Sequence, residues 1–255
     1  MELLQVKNVT KVYSTRFGGQ QFTALKNVNF EVSAGEFTAV MGPSGSGKTT
    51  LLNIVATLDK PTSGDVLLEG KSVKTIKARE LSAFRRNNLG IVFQDFNLLD
   101  TFSVRDNILL PLVLSDIKPE EMEVRLQPVA ESLELTELLD KFPYEISGGE
   151  KQRTAVARAV ITRPKLFLAD EPTGSLDSKA ATKLLDIFTK LHQNGQTILM
   201  VTHSSLAASR ASRVVFIRDG QLFSQIYRGE DSSNEFFERI VSNLSVLSEG
   251  GMDIA

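Results

Sequence analysis

A chain of 255 residues is long enough for one large α/β domain or for one core carrying an insert, and its 42% hydrophobic share supports a sizeable core. The absence of cysteine excludes disulfides and thiolate metal sites, and a net charge of −2, with basic and acidic residues interspersed, gives no electrostatic case for nucleic acid. Residues 1–6 carry neither a basic nor a long apolar segment, so no signal peptide is expected; the apolar stretch at 108–114 is far too short for a membrane span.

In chain order, residues 4–6, 30–32 and 66–69 alternate as half-buried strands do, the last closed by Gly70. The apolar run 37–41 leads into Gly42-Pro43-Ser44-Gly45-Ser46-Gly47-Lys48-Thr49-Thr50, and a helix is expected over 51–56. Residues 90–93 read as a buried strand. From about 101 to 163 the pattern is mostly helical, with breaks expected at Pro111, Pro119, Pro128 and Pro143. Residues 166–169 and 197–201 are further buried strands, separated by a helical pattern at 180–188; strand, helix, strand in that order implies a crossover and a parallel sheet. Residues 214–223 read as a hairpin turning on Asp219-Gly220. In the tail, Ser232 and Glu235 form a capping-box pattern, and Phe236, Phe237, Ile240, Val241 and Leu244 would share one helix face, turned either to the protein's own core or to a partner.

Three segments carry chemistry. A glycine-rich turn between a strand and a helix aims consecutive backbone N–H groups at phosphate oxygens, and the helix N-terminus adds favourable partial charge. In the 42–50 segment Lys48 would then reach the β- and γ-phosphates and the Thr49 hydroxyl would hold Mg²⁺, so a nucleoside triphosphate is the expected ligand. In Leu166-Phe167-Leu168-Ala169-Asp170-Glu171-Pro172, the carboxylate of Asp170 at a strand end could hold Mg²⁺ through water, and Glu171 could orient and deprotonate a water for in-line attack. In Ile146-Ser147-Gly148-Gly149-Glu150, Ser147 reads as an N-cap and the two glycines permit close backbone approach, which makes a second anion cradle without a lysine. One nucleotide does not need two such cradles from one chain, so the second is expected to cover the nucleotide of another copy.

Together these segments resemble the ATP-binding cassette (ABC) ATPases of transporters over about residues 3–229. The resemblance implies a P-loop NTPase (RecA-like) α/β core with a mostly parallel sheet, an antiparallel β subdomain and an inserted α-helical subdomain. The expected boundaries are 1–100 with 160–230 for the core, 101–159 for the helical subdomain and 231–255 for a tail helix. It also implies roles: Tyr13 stacks on adenine, Gln94 joins metal, water and permease contact, and His203 contacts the γ-phosphate. Ser147-Gly148-Gly149-Glu150 matches the signature loop, with Glu150 where glutamine is commonest, and Asp177 of Ser175-Leu176-Asp177 crosses the dimer interface. Two copies would sandwich two ATP molecules. No Asn-Lys-x-Asp segment for reading guanine occurs, and no sustained heptad supports a DNA-clamp relative.

A finer resemblance rests on the 94–112 stretch, which is similar to the macrolide-exporter and lipoprotein-release ATPases, and on 213–221 with Phe236-Phe237, which resemble the bacitracin/lantibiotic-resistance (BceA-type) branch. That branch implies an integral-membrane permease countering antimicrobial peptides, a sensor histidine kinase reached through it, and a location at the cytoplasmic face of the membrane. A macrolide-exporter or lipoprotein-release ATPase, or a cell-division regulatory cassette with little turnover, is the alternative. Phe96, Leu98, Leu99 and Phe102 offer either a docking surface for the permease or filling for the joint between core and insert.

Overall fold

The computed structural model describes residues 1–14 and 21–249. In chain order the strands are β1 (Glu2–Ser14), β2 (Gln21–Ser33), β3 (Phe37–Met41), β4 (Ser63–Leu68), β5 (Lys71–Ser72), β6 (Leu89–Val92), β7 (Leu166–Asp170), β8 (Thr197–Val201), β9 (Arg213–Arg218) and β10 (Gln221–Tyr227). The helices are α1 (Lys48–Val55), α2 (Leu81–Asn88), α3 (Val104–Val113), α4 (Pro119–Ser132), α5 (Gly148–Val160), α6 (Ser178–Gln193), α7 (Ser205–Ala208) and α8 (Ser233–Glu249). The chain divides into two compact units, Met1–Ala78 with Gly195–Ala255, and Arg79–Asn194.

The first unit holds an antiparallel sheet in the order β2-β1-β4-β5 and a second sheet region in which β3 lies between parallel β8 and β9. All five residues of β3 and of β8 are buried, which is why both read as unbroken apolar runs rather than as alternating ones. The strand β10 folds back antiparallel on β9, pairing Gln221 with Arg218. The turn residues Asp219 and Gly220 take φ values of 51° and 78°, the left-handed pair that a tight hairpin requires.

The tail helix α8 packs on α7. Its buried residues are Phe236, Ile240 and Leu247, with Phe237 and Leu244 half-buried and Val241 exposed. The expected face therefore needs correction at Val241. The buried residues sit at i, i+4 and i+11, one stripe of a straight helix, and Val241 falls one step, roughly 100°, off it.

The second unit pairs β6 with parallel β7 and surrounds α5 with α3, α4, α6 and β6. Two of the expected proline breaks do not occur: Pro111 lies inside α3 and Pro128 inside α4. Each proline removes one hydrogen bond to the preceding turn. Burial of Val104, Ile108 and Leu112 on α3, and of Leu126 and Ala130 on α4, outweighs that loss. Pro119 opens α4 at a position where its missing N–H has no partner to lose.

Candidate nucleotide-binding and catalytic site

The phosphate loop follows directly from β3. Gly42 has φ 156°, and a side chain there would place a Cβ 2.0 Å from the Ile217 carbonyl oxygen. Gly47 has φ 101°, and its Cβ would meet the Ala24 carbonyl oxygen at 2.5 Å. Neither position accepts another residue without moving a neighbouring backbone. Lys48 is buried, and its ammonium donates to the Gly42 and Pro43 carbonyls at 2.9 Å each, closing the loop on itself. No side chain caps the first turn of α1. The Ser46 hydroxyl is buried without a hydrogen-bond partner among the described residues. A helix start with no side-chain cap, a buried unpaired Ser46 hydroxyl and a lysine held at the loop fit an anionic, oxygen-rich ligand such as a triphosphate.

In the same unit, Tyr13 lies on β1 with 41% of its surface exposed. Its hydroxyl donates to Asp59 Oδ2 at 2.8 Å, and Lys11 Nζ stands 2.6 Å from Asp59 Oδ1 and 4.7 Å from the Tyr13 ring centroid. Partial burial, then the bond to Asp59, raises the Tyr13 pKa, so the ring is neutral. The result is a fixed aromatic plate with a cation against it, a surface suited to stacking. His203 is exposed between β8 and α7. Its neighbours hold it there: the Thr202 N–H donates to the Val40 carbonyl at 3.1 Å, tying the end of β8 to β3, and the Ser204 hydroxyl caps α7.

The second unit carries the carboxylates. Asp170 ends β7 half-buried, and Glu171, also half-buried, has φ 45°, a left-handed conformation unusual for a residue with a side chain. The Gly174 N–H donates to the Glu171 carbonyl at 3.0 Å and closes this turn. A Cβ on Gly174 would come within 3.2 Å of the Gln94 carboxamide carbon, so Gln94 lies against the turn that carries Glu171. The Ser175 hydroxyl donates to the Gln94 carbonyl at 3.0 Å. Fully buried Gln152 joins both strand ends, its Nε2 donating to the Pro172 carbonyl at 2.7 Å and the Phe93 carbonyl at 3.2 Å.

The 147–150 segment forms a complete capping box at the start of α5. The Ser147 hydroxyl accepts from the Glu150 N–H, and the Glu150 carboxylate accepts from the Ser147 N–H at 2.7 Å. Asp177 caps α6 through the N–H groups of Lys179 and Ala180, each at 2.9 Å. A Cβ on Gly149 would meet the Ala180 Cβ at 2.9 Å, so glycine is what lets the two helix starts approach. Between them lies a groove of about 410 Å³ lined by Ser147, Gly148, Glu150, Asp177, Lys179 and Lys183, among others.

The structure thus brings Gln94, Asp170 and Glu171 together in one unit, with Ser147, Gly148, Gly149, Glu150 and Asp177 around the groove beside α5 and α6. The loop 42–50, Tyr13 and His203 belong to the other unit. Sequence reading did not single out Gln152, Asn107 or Arg158. Asn107 is fully buried and ties Leu99, Phe102 and Ser103 together, and Arg158 donates to the carbonyls of Phe96 and Asn97 at 3.1 and 2.7 Å. Burial lowers the Arg158 pKa. The only available signal was a polar residue recurring on an otherwise apolar helix face. Of the apolar set between 96 and 102, Phe96 and Leu98 are half-buried, while Leu99 and Phe102 are 44% and 36% exposed.

A glycine-rich phosphate loop after a buried parallel strand, in an α/β fold with an antiparallel sheet and helices, defines a P-loop nucleoside triphosphatase. Comparison with known proteins narrows the class. Residues 25–174 match the family profile described as "ABC transporter". The chain is 51% identical over 248 residues to the ABC transporter ATP-binding protein YvcR of Bacillus subtilis, covering 97% of this chain and 95% of that one. It is 45% identical over 248 residues to the bacitracin export ATP-binding protein BceA of Halalkalibacterium halodurans, covering 97% of each. Among solved structures, a dimeric post-hydrolysis state of the ATP-binding cassette MJ0796, a protein of Methanocaldococcus jannaschii, bound to ADP and Pi, matches with a TM-score of 0.81 at 38% identity. That match covers 88% of this chain and 98% of the other. The chain belongs to the ABC transporter family, as an ATP-binding subunit and an ATPase.

Proposed function

We propose that this ATPase works as an ATP-sandwich dimer that drives an integral-membrane permease conferring resistance to bacitracin-like or lantibiotic-like peptides. The observation that carries this reading is the extent of the likeness to BceA. It runs over 97% of both chains, whereas the likeness to the MJ0796 structure covers 88% of this one. Among the described residues no helix is long and apolar enough to cross a membrane; in this reading the permease is a separate chain and the ATPase attaches to it at the cytoplasmic face of the membrane. A sensor histidine kinase would be reached through that permease.

In this reading Lys48 exchanges its bonds to the Gly42 and Pro43 carbonyls for phosphate oxygens, and the loop amides spread the growing phosphoryl charge. Tyr13 stacks on the base. Glu171 orients water and takes its proton, His203 contacts the γ-phosphate, and Ser147, Gly148 and Asp177 of one copy meet the nucleotide bound to the other. Thr49, Asp170 and Gln94 present hydroxyl, carboxylate and amide oxygens, a hard donor set that suits Mg²⁺. When bound, Mg²⁺ neutralises charge on the transferring phosphoryl group.

The test is to purify the chain with its membrane partner and measure phosphate release with and without peptides. Bacitracin-like or lantibiotic-like peptides should stimulate turnover at least severalfold. Stimulation by macrolides or lipoproteins instead, or no turnover at all, would overturn the assignment.

A further inference from the structure

The capping box at the start of α5 commits the only proton of the Ser147 hydroxyl. That O–H donates to Glu150 Oε2 at 2.8 Å, and the same carboxylate oxygen accepts the Ser147 backbone N–H at 2.7 Å. The Glu150 N–H reaches back to Ser147 Oγ at a long 3.4 Å. A serine hydroxyl has one donor and an ionised carboxylate has none. A triphosphate at neutral pH is likewise rich in acceptors and poor in protons, so Ser147 can bind it only by donating. With its proton on Glu150, Ser147 meets an incoming phosphate with lone pairs, and the carboxylate adds a negative charge beside it.

Glu150 stays charged across the neutral range. The Ser147 backbone N–H, and then its hydroxyl, hold the Glu150 pKa below the ordinary value against the opposing effect of partial burial, and Arg153 and Lys141 add to this. Among the described residues, Lys179, Lys183 and Asp177, the other charged groups around the groove, make no hydrogen bond or ion pair to Ser147 or Glu150; Asp177 caps α6, and Lys183 pairs with Glu134.

We propose that Glu150 is a positioning residue that holds the Ser147 hydroxyl turned away from phosphate and so raises the ATP concentration needed to close two copies over their nucleotides. This rests on the reading that Ser147 of one copy meets the triphosphate held by the other. Closure requires the Ser147 proton to leave Glu150. A glutamine at position 150 keeps the cap, because its carbonyl accepts the Ser147 N–H. Its amide donates to Ser147 Oγ, which frees the O–H for phosphate.

The experiment compares Glu150, Glu150→Gln and Glu150→Ala in a Glu171→Gln background, following the monomer–dimer ratio by light scattering against ATP concentration. Glu150→Gln should lower the ATP concentration for half-maximal dimer by roughly tenfold, the scale of one charge-assisted hydrogen bond. Glu150→Ala removes the same charge along with the cap and should shift the midpoint in the same direction by less. A purely structural cap predicts the opposite pattern, with glutamine neutral and alanine impaired, and that result overturns the proposal. A dimer with the same ATP dependence for Glu and Gln also overturns it while leaving the sandwich intact. No ATP-dependent dimer in any variant would overturn the sandwich itself and this proposal with it.

Discussion

The carboxamide of Gln152 donates to the Pro172 carbonyl at 2.7 Å and so pins, from inside α5, the turn that carries Glu171. Glu171 holds a left-handed backbone at φ 45°, a conformation that costs on the order of 1–3 kcal/mol and persists only where the surroundings enforce it. Gln152 supplies part of that enforcement, and through its second bond, to the Phe93 carbonyl, it fixes the residue preceding Gln94 as well. A proposed metal and permease contact and a proposed base are thereby anchored to one buried amide.

Replacing Gln152 by alanine leaves two carbonyls without that partner, at a cost of about 1–3 kcal/mol in stability. Turnover should fall by about ten- to a hundredfold, because a misplaced base loses geometric advantage. Nucleotide affinity should change by less than about threefold, since the phosphate loop is built on other elements. Titration of a fluorescent ATP analogue alongside phosphate release separates the two effects. A parallel loss of both would remove Gln152 from its positioning role.

Glu171→Gln keeps the shape of the side chain and removes its ability to take a proton. The variant should bind ATP and accumulate as a dimer, yet hydrolyse about a hundred- to ten-thousandfold more slowly, the range of a general base. Single-turnover hydrolysis measures this directly. Near-normal turnover would assign the proton to another group.

Much of this architecture was legible in the chain. The runs 37–41 and 197–201 read as buried strands because they are buried on both faces, and Asp219-Gly220 read as a turn because only small or left-handed-tolerant residues fit there. The phosphate loop was legible because Gly42 and Gly47 answer to backbone contacts that no other residue permits. Pro111 and Pro128 misled because a local rule yielded to burial on neighbouring turns. Gln152 and Asn107 were invisible for a different reason. Their importance lies in which distant carbonyls they meet, and no periodicity encodes that.

Acid should weaken the platform under Tyr13. Burial pushes the Asp59 carboxyl upward, but hydrogen bonds from Lys11, Tyr13 and the Lys60 backbone overcome this and leave its pKa below the ordinary 3.8. A carboxylate whose folded pKa is depressed contributes stability that is complete above the unfolded value and is lost as pH falls through the folded one. The difference in thermal stability between wild type and Asp59→Asn should therefore be largest near neutrality and shrink as pH falls below 3.8. A difference that grows toward acid would reverse the sign and dissolve the assigned network.

Asn107 offers the sharpest test of how the 99–103 loop serves coupling. Its Oδ1 accepts the Leu99 N–H at 2.9 Å, and its Nδ2 reaches the carbonyls of Leu99, Phe102 and Ser103 at 3.0, 3.1 and 3.0 Å. This one buried side chain sets how Leu99 and Phe102 face outward. Asn107→Ala removes every bond and should cost about 2–4 kcal/mol, as loss of a buried polar network does. Asn107→Asp keeps the acceptor and loses the donors, with a smaller cost to packing volume. If Leu99 and Phe102 form the permease contact, both variants, assembled with the permease, should lose most of the peptide-stimulated part of ATP turnover while the unstimulated rate falls less. Proportional loss of the two rates would show that the loop supports folding alone, and stimulation intact in Asn107→Ala would move the permease contact elsewhere.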